Sequence, residues 1–335
     1  MSAPPAEAPL SVQDLCIGFR SVSGAVTVVD RLSFSVGAKE TLAIVGESGC
    51  GKTVTGLSLM GLLPPRTARV SGSILLGGRQ LVGIDERELR RLRGRHIAMI
   101  FQDPMSALNP VHTIGDQLIE VIQAHEPISR AAAWKRAEEV LALVRMPEPQ
   151  RRMREYPHRL SGGMRQRVVI GMALATNPSV LIADEPTTAL DVTIQAQILR
   201  LLADLQSELG MSIILITHDL GVVAEVAHRV MVMYAGRKVE EQSVFTIFDR
   251  PRHPYTRGLI AARPQPGALT AETGRLSEIK GMVPSLNALP QGCAFGPRCG
   301  LVDDRCRSAV PGLEHSGNAR VACFHPHEYQ VAGAV

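Results

Sequence analysis

A glycine-rich loop between an apolar run and a helical pattern constrains the fold of this chain more than any other feature. The apolar run 42–45 predicts a buried strand, and the apolar residues recurring over 54–62 predict a helix directly after the loop. The loop consists of Gly46, Glu47, Ser48, Gly49, Cys50, Gly51, Lys52 and Thr53. A strand, a tight turn and a helix in this order place the backbone where an anion can meet a helix start.

The residue types of this loop suit the binding of phosphate groups. Its glycines allow the tight, partly left-handed path that points successive N–H groups at phosphate oxygens. Lys52 supplies a positive charge for the β- and γ-phosphates, and the Thr53 hydroxyl can bind Mg²⁺. Because both flanking elements are in place, we predict a nucleotide-binding loop, called the phosphate loop below, rather than a glycine-rich turn that carries a lysine by chance.

Composition narrows the class of protein. The chain has 335 residues, of which 45% are hydrophobic and 20% charged, so a globular core is readily supplied. The net charge is only +4, with basic and acidic residues interspersed, which does not favour a nucleic-acid-binding protein. No apolar run is long enough to span a bilayer, and residues 1–10 lack the basic and apolar regions of a signal peptide. We therefore expect a cytoplasmic protein that acts at a membrane only through partners.

Buried strands that alternate with helical patterns predict an α/β fold around a mostly parallel, doubly wound sheet. Residues 10–36 carry three strand-like runs, and residues 114–146 carry two helical stripes, the second behind a Ser129 cap. The turn 235–237 after the apolar run 230–234 predicts a last strand and hairpin, so the catalytic domain is expected to end near residue 251. Further buried strands are predicted at 96–101, 180–183 and 211–217.

Polar residues follow three of these predicted strands. Asp184 is suited to hold Mg²⁺ through water, and Glu185 is suited to orient or deprotonate an attacking water. Gln102 can place its carbonyl oxygen on a metal or its water, and His218 can contact a γ-phosphate. Taken singly, Gln102 and His218 are also compatible with purely structural roles.

Three further features suit a nucleotide but have structural alternatives. The turn formed by Ser161, Gly162 and Gly163 opens a helix and so predicts a second anion site. A single nucleotide needs only one such site. Asp191 ends a turn that caps another helix. Phe19 lies just before a Ser-Gly turn, where its ring could stack on a purine or pack in the core.

Taken in order, these motifs resemble those of an ATP-binding-cassette (ABC) ATPase domain: Walker A, the Q-loop, the signature at 160–164, Walker B, the D-loop at 190–191 and the switch histidine. The resemblance implies such a domain over residues 8–250, with a parallel-sheet core, an antiparallel β subdomain and a helical subdomain over about 103–165. It also implies two domains facing head to tail, so that Ser161 serves the ATP of the partner domain.

The resemblance assigns roles to the residues above. It implies that Glu185, His218, Gln102 and Lys52 are catalytic, and that Thr53, Gln102 and Asp184 hold Mg²⁺. The implied ATP-binding residues are Phe19, Gly46, Glu47, Ser48, Gly49, Cys50, Gly51, Lys52, Thr53, Gln102, Ser161, Gly162, Gly163 and Asp191. Cys50 departs from the serine usual in this family; since its backbone N–H matters most, we expect little loss of function but sensitivity to alkylation.

A narrower resemblance is to the oligopeptide/dipeptide importer branch. It rests on residues 101–110, 164–167, 253–256, 279–284, 292–299 and 321–323. It implies an ATPase at the cytoplasmic face of the bacterial inner membrane that powers peptide import. The implied partners are a related second ATPase subunit, two transmembrane permease subunits and an extracytoplasmic peptide-binding protein, with no nucleic acid. Importers of nickel or other small solutes are similar relatives, and a soluble ABC ATPase acting on nucleic acid or ribosomes is the alternative of another class.

Four cysteines crowd the stretch 251–335, which we expect to form a C-terminal extension of the importer type. Cys293, Cys299, Cys306 and Cys323, called the four-cysteine site below, follow the spacing C-x5-C-x6-C-x16-C. In a reducing compartment such a cluster favours a metal site over disulfides. Four thiolates suit a 4Fe–4S cluster or Zn²⁺, and the resemblance favours iron–sulfur; free thiols are the structural alternative. We expect a structural role for the bound group rather than electron transfer, and an iron–sulfur redox sensor that governs the ATPase rate is the alternative. His315, His325 and His327 are further candidate ligands nearby.

Overall fold

The structure is a computed structural model that describes residues 8–21, 24–103, 107–188, 190–262 and 279–326. His327 therefore lies outside the described residues. The strands are β1 (Leu10–Ser21), β2 (Gly24–Val36), β3 (Thr41–Val45), β4 (Ala68–Leu76), β5 (Arg79–Gln80), β6 (Ile97–Ile100), β7 (Val180–Asp184), β8 (Ser212–Thr217), β9 (Arg229–Tyr234), β10 (Arg237–Ser243), β11 (Glu314–Ser316) and β12 (Ala319–Val321).

The α-helices lie mostly between strands of the parallel sheet. They are α1 (Lys52–Leu59), α2 (Glu86–Leu92), α3 (Ile114–His125), α4 (Arg130–Leu143), α5 (Pro149–Arg152), α6 (Gly162–Leu174), α7 (Val192–Leu209), α8 (Leu220–Val226), α9 (Val244–Asp249), α10 (Pro254–Ala261) and α11 (Asp304–Ser308). Within the described ranges, no helix is both long and apolar enough to cross a membrane.

The larger sheet is the frame on which the candidate site is built. Its strand order is β11-β12-β10-β9-β3-β8-β7-β6, and the five strands from β9 to β6 are parallel. Every residue of β3, β7 and β8 is buried, as continuous apolar runs require when helices cover both faces of a parallel sheet. Parallel pairing brings the carboxyl ends of β3, β6, β7 and β8 to one edge, where the polar residues follow.

The smaller sheet is antiparallel, with the order β2-β1-β4-β5. The pairing of β1 is irregular between residues 12 and 17, where Asp14 has a φ of 46°. Such bulges change the direction of a strand. Apolar residues of β1 and β2 share one buried cluster with β3 and with Leu59 of α1. The smaller sheet therefore covers the first helix after the phosphate loop.

Helices α3 and α4 follow the segment after β6, as the two stripes predicted. Thr113 and Ser129 cap them, accepting hydrogen bonds from the N–H groups of Asp116 at 3.2 Å and Ala132 at 3.2 Å. Their buried faces join α6 and α7 in one cluster against β6 and β7. The Ser129 cap predicted from the sequence is confirmed.

The prediction that residues 230–234 form the last strand of the sheet is wrong. The expected hairpin to β10 is present, but β12 then pairs with β10, placing Val321 opposite Glu240, and β11 adds a further antiparallel strand. These two strands have three residues each, too few for a periodic apolar pattern. The larger sheet is therefore completed by a stretch of the chain beyond residue 251.

Candidate active site

The phosphate loop leaves β3 and passes tightly over the end of β9. A Cβ atom added to Gly46 would lie 2.3 Å from the Met233 carbonyl oxygen, so only glycine fits there. Gly51, with a φ of 98°, is the N-cap of α1, which begins at Lys52. The sequence of the loop thus produces a backbone turn that ends at a helix start, as a phosphate site requires.

Lys52 is buried and folded back onto the loop. Its Nζ donates to the carbonyl oxygens of Gly46 at 2.7 Å and Glu47 at 3.0 Å, and it lies 3.8 Å from Cys50 Sγ. Carbonyl oxygens are weaker acceptors than phosphate oxygens, because charged acceptors form the stronger hydrogen bonds. The ammonium group is therefore placed to exchange these partners for a phosphate.

Thr53 and Asp184 bring two oxygen donors together beside the loop. Thr53 Oγ1 donates to Asp184 Oδ1 at 3.3 Å, and Asp184 is only 1% exposed at the end of β7. Burial raises the pKa of Asp184, and the neighbouring Glu185 charge raises it further, while the Thr53 hydrogen bond opposes them. A hydroxyl and a carboxylate with an unfavourable buried charge fit a hard divalent cation such as Mg²⁺.

The side chains that follow β6 and β8 both contact Glu185, which itself follows β7. Gln102, after β6, donates from Nε2 to Glu185 Oε2 at 3.0 Å, and Nδ1 of His218, after β8, lies 2.9 Å from Glu185 Oε1. Burial raises the pKa of Glu185, but hydrogen bonds from His218 and Thr188 outweigh it and lower the pKa overall. The structure therefore brings together the predicted residues Gln102, Glu185 and His218 around one ionised carboxylate.

Thr188 is a member of this group that sequence reasoning missed. Its Oγ1 donates to Glu185 Oε2 at 2.9 Å, and its backbone N–H donates to the Glu185 carbonyl at 3.1 Å. The signal that could have found it is local, since a hydroxyl three residues after the acid closes a turn onto it.

The predicted turn at Ser161 lies apart from this group. Ser161 is the exposed N-cap of α6 and accepts from the Met164 N–H at 3.4 Å, while Gly162 is exposed and Gly163 packs against Ile194. Asp191 is the exposed N-cap of α7, accepting from the Ile194 N–H at 3.0 Å. Among the described residues, Ser161 makes no hydrogen bond with the phosphate loop.

The structure packs Phe19 against the core and buries Cys50. Phe19 is half-buried near the end of β1, opposite Val26 and Ala68, and packs against the core cluster shared by the two sheets. Cys50 is buried, and burial raises the pKa of its thiol despite the nearby Lys52. Because the thiolate is the reactive form, the expected sensitivity of Cys50 to alkylation does not fit this conformation.

The remaining members of the loop are placed differently from one another. Glu47 is half-buried and tied by hydrogen bonds to residues far along the chain. Ser48 and Gly49 are exposed. A Cβ added to Gly49 would meet no atom within 4 Å. The middle of the loop therefore faces open space, which suits a ligand above it.

All four thiols of the four-cysteine site line one small cavity, together with His253, Phe295 and His325 among others. The Cys293 N–H donates to the Cys306 carbonyl at 2.8 Å, so a backbone hydrogen bond joins the two segments that carry these cysteines. Ligand atoms of Asp303, Cys306 and His325 lie within 4.8 Å of one another.

We expect the four thiols to be protonated when nothing is bound and to be thiolates when they hold a metal or cluster. Burial raises the pKa of the Cys323 thiol to about 11, with the other three thiols, when charged, acting in the same direction and the His325 N–H opposing them. Thiolates are the metal-binding form, so an iron–sulfur cluster or Zn²⁺ would supply the positive charge that this site otherwise lacks. The chemistry of four thiols suits either group, but among the described residues the ligand atoms that lie close together are those of Asp303, Cys306 and His325 and not three of the four thiols. His315, on β11, is exposed and does not line the cavity.

Comparison with known proteins matches both parts of the chain. Residues 29–188 match the family described as ABC transporter, and residues 239–306 match the oligopeptide/dipeptide transporter C-terminal region. A probable peptide ABC transporter ATP-binding protein of Sinorhizobium fredii is 51% identical over 98% of this chain and 98% of its own length. The oligopeptide transport ATP-binding protein OppD of Escherichia coli is 49% identical, over 96% of this chain and 95% of its own.

Two further matches extend this result. The dipeptide transport ATP-binding protein DppD of Bacillus subtilis is 51% identical over 91% of both chains. Among solved structures, a dimeric ATP-binding cassette in a post-hydrolysis state, bound to ADP and Pi, superposes with a TM-score of 0.62 at 26% identity. That superposition covers 70% of this chain and 98% of the other.

Proposed function

This chain belongs to the ABC transporter family, in its oligopeptide/dipeptide branch, and on that premise we propose that it is the ATP-hydrolysing subunit of a bacterial peptide importer. Relatives named as peptide, oligopeptide or dipeptide ATP-binding proteins match it over nearly its whole length. The observation that carries the proposal is the convergence of Gln102, Glu185 and His218 at adjacent strand ends, in the same site as Asp184 and the phosphate loop.

In the proposed mechanism the phosphate loop holds the triphosphate. Lys52 exchanges its carbonyl partners for β- and γ-phosphate oxygens, while loop N–H groups and the start of α1 hold the remaining negative charge. Thr53, Gln102 and Asp184 would hold Mg²⁺, which neutralises charge on the phosphates when bound. The Phe19 ring is proposed to stack on the purine.

Glu185 is proposed to act on the attacking water. Its ionised carboxylate accepts a hydrogen bond from the water and draws its proton, which favours in-line attack on the γ-phosphorus. His218 reaches the same space and would contact the γ-phosphate, while Gln102 connects this site to the segment after β6. ADP and phosphate are the products.

We further propose that the second anion site serves another cassette. Ser161, Gly162 and Asp191 are accessible on the surface, so a neighbouring domain could present its nucleotide to them. A related but different chain is the partner we favour, because the resemblance to this importer branch implies two distinct ATPase subunits. Phosphate bound at the α6 start would complete the neighbour's site.

The same proposal places the subunit at the cytoplasmic face of the inner membrane, with two transmembrane permease subunits and an extracytoplasmic peptide-binding protein.

The docking segment for a permease would be residues 103–110 and the helices that follow. Phe101 and Val111, which flank this segment, are 42% and 74% exposed, so apolar contact area is available there. Closure of the ATP sites would reach the permease through Gln102.

Residues 251–335 are proposed to form a C-terminal extension that binds a 4Fe–4S cluster at the four-cysteine site, with a structural role. Convergence of all four thiols on one cavity supports a bound inorganic group. Anaerobic purification should give a brown protein with broad absorption from thiolate-to-iron transitions and about four iron atoms per chain. A colourless protein that contains zinc would overturn the choice of iron in favour of Zn²⁺.

Reconstitution tests the function as a whole. The subunit, purified from cells with its native companions and placed in proteoliposomes, should support ATP-dependent uptake of labelled dipeptides and oligopeptides. Uptake of nickel without peptide uptake would favour the small-solute alternative. Copurification with ribosomes or nucleic acid, in place of hydrophobic membrane subunits, would contradict the proposal.

A further inference from the structure

The stretch of chain that carries the four-cysteine site contacts the phosphate loop directly at Glu47. The Glu47 N–H donates to Tyr255 Oη at 2.8 Å, and the Glu47 carboxylate accepts from Arg298 Nη1 at 2.7 Å and Nη2 at 3.0 Å. The Glu47 carbonyl also accepts from Lys52 Nζ at 3.0 Å. Glu47 therefore joins the proposed phosphate-binding lysine to two residues beyond position 250.

Arg298 is placed to hold that carboxylate in a single orientation. Its side chain is 3% exposed, and Nε donates to the Lys280 carbonyl at 3.0 Å. Nη2 also donates to the Ile279 carbonyl at 3.2 Å, and Nη1 to Tyr234 Oη at 3.4 Å. With the two bonds to Glu47, these contacts use all five donors of the guanidinium group. A lysine has neither the fork geometry nor enough donors to replace it.

The turn that carries Arg298 is also part of the four-cysteine site. Arg298 ends the 3₁₀ turn Gly296–Arg298, which lies between Cys293 and Cys299. The Gly296 N–H donates to the Cys293 carbonyl at 2.9 Å, and the Cys299 N–H donates to the Gly296 carbonyl at 3.1 Å. A group bound by both thiols would fix the two ends of this turn, and Arg298 with them.

We propose that Arg298 is a positioning residue that holds the phosphate loop in its nucleotide-binding conformation through Glu47, and that a loaded four-cysteine site strengthens ATP binding by fixing the turn that carries Arg298. The inference rests on the proposed function, since it requires ATP at the loop and a metal or cluster at the thiols. Electron transfer has no part in it. The two sites are coupled through a continuous set of contacts.

Arg298→Lys is the main test, because it keeps the charge and removes the bidentate geometry. In full-length protein purified anaerobically, Kd and KM for ATP should rise about five- to tenfold, while kcat at saturating ATP stays within about twofold. A general loss of folded protein would lower kcat instead. Iron and zinc contents should match those of the wild type. Arg250→Lys, an exposed arginine paired with Asp249, is the matched control and should leave KM unchanged.

Two further measurements separate the steps of the proposal. Hydrogen exchange of the phosphate-loop peptide should be faster in Arg298→Lys than in the wild type, whatever the activity of the variant. Cys299→Ser, which removes one thiol, should lose metal and weaken ATP binding about as much as Arg298→Lys does. In the double variant the two effects should not add, because both act through the same contact.

The outcomes are distinguishable. If Arg298→Lys keeps its metal and shows wild-type ATP affinity and loop exchange, the present inference is overturned while the proposed function stands. Additive effects in the double variant would also overturn the coupling between the two sites. A wild-type protein that binds no ATP, or that holds no metal at the thiols, would remove the proposed function of that site and this inference together.

Discussion

The carboxylate of Glu185 is held by side chains from three parts of the chain, which gives it two properties that hydrolysis needs. Contacts with Gln102, Thr188 and His218 engage both of its oxygens. Although burial acts in the opposite direction, hydrogen bonds keep its pKa below the usual glutamate value. The group is therefore ionised and oriented at neutral pH, as an acceptor of a proton from water must be.

Glu185→Gln should separate nucleotide binding from turnover. The amide has the same shape as the carboxylate but cannot accept a proton, so phosphate release should fall by at least about 100-fold. ATP affinity, measured by equilibrium binding, should stay within about threefold, since Lys52 and the loop amides are untouched. Glu208→Gln, on the exposed face of α7, is the control and should hydrolyse ATP normally. Near-normal hydrolysis by Glu185→Gln would remove this residue from its proposed role.

Thr188→Val should alter the pH dependence of hydrolysis. The Thr188 hydroxyl is one of the groups that lower the Glu185 pKa, so its removal raises that pKa. Activity depends on the ionised form and should therefore be lost at a higher pH than in the wild type as the solution is acidified. Because the wild-type pKa lies below the usual glutamate value, ATPase rates followed from neutral pH down to below about pH 4.5 would show the shift. Thr188→Ser keeps the hydroxyl and should restore the wild-type profile; identical profiles for Val and wild type would contradict the role.

The residues of this site differ in how well the sequence predicts them. Gln102, Glu185 and His218 each follow an apolar run, so pattern alone places them at strand ends. Arg298 gives no such signal, because its partner Glu47 lies 251 positions away and the pairing depends on tertiary packing. Their roles in ATP hydrolysis remain predictions.

At the scale of elements, two helix starts share the same local construction and differ in surroundings. Ser161 caps α6 and Ser129 caps α4, each accepting a hydrogen bond from the N–H three residues on. Both serines are exposed. Only the α6 start is followed by glycines and lies next to α7 and its cap Asp191. Replacing either serine removes the same kind of cap, so a difference between the two variants reports on the surroundings of the helix start.

Ser161→Arg should stop turnover by the assembled transporter without weakening this subunit's own ATP binding. The bulky side chain would block a neighbouring nucleotide from the α6 start, so ATPase activity should fall at least about tenfold. Loss of the cap costs about 1 kcal/mol of stability in either variant. Ser129→Arg loses the same kind of cap and should keep its activity. Equal ATPase rates for the two variants, measured in the reconstituted complex, would contradict the proposed shared site.

Strands were predictable where burial alone determines their sequence. The apolar runs 42–45, 180–183 and 213–216 make up most of β3, β7 and β8, whereas β10 is buried yet contains Lys238, Glu240 and Glu241. Its charges are compensated, since Lys238 pairs with Glu241 at 2.5 Å and Glu240 accepts the N–H groups of Arg252 at 2.7 Å and His253 at 2.9 Å. The Lys238–Glu241 pair lies within β10 itself, whereas the N–H groups that Glu240 accepts come from residues beyond the strand, so no apolar pattern indicates that this strand is buried.

At the scale of the whole molecule, the stretch beyond residue 251 shares a core with the sheet that carries the phosphate loop. Phe295 is 4% exposed and packs edge-on to Tyr234, with ring centroids 5.3 Å apart, and beside Tyr255 at 5.5 Å. These rings belong to a cluster that includes Ala43 and Val45 of β3. A buried apolar cluster shared in this way makes the unfolding of the two parts cooperative.

Phe295→Ala should therefore destabilise the whole chain rather than the cysteine-rich stretch alone. Removing a buried phenylalanine costs about 3 kcal/mol or more, which should lower the melting temperature by about 5 °C or more. Calorimetry should show one transition that shifts as a unit, because the lost contacts join β9 to the residues around the four-cysteine site. Phe245→Ala, at a side chain that is 86% exposed, is the control and should leave the melting temperature unchanged. Two separate transitions, with only the smaller one shifted by Phe295→Ala, would show that the two parts fold independently.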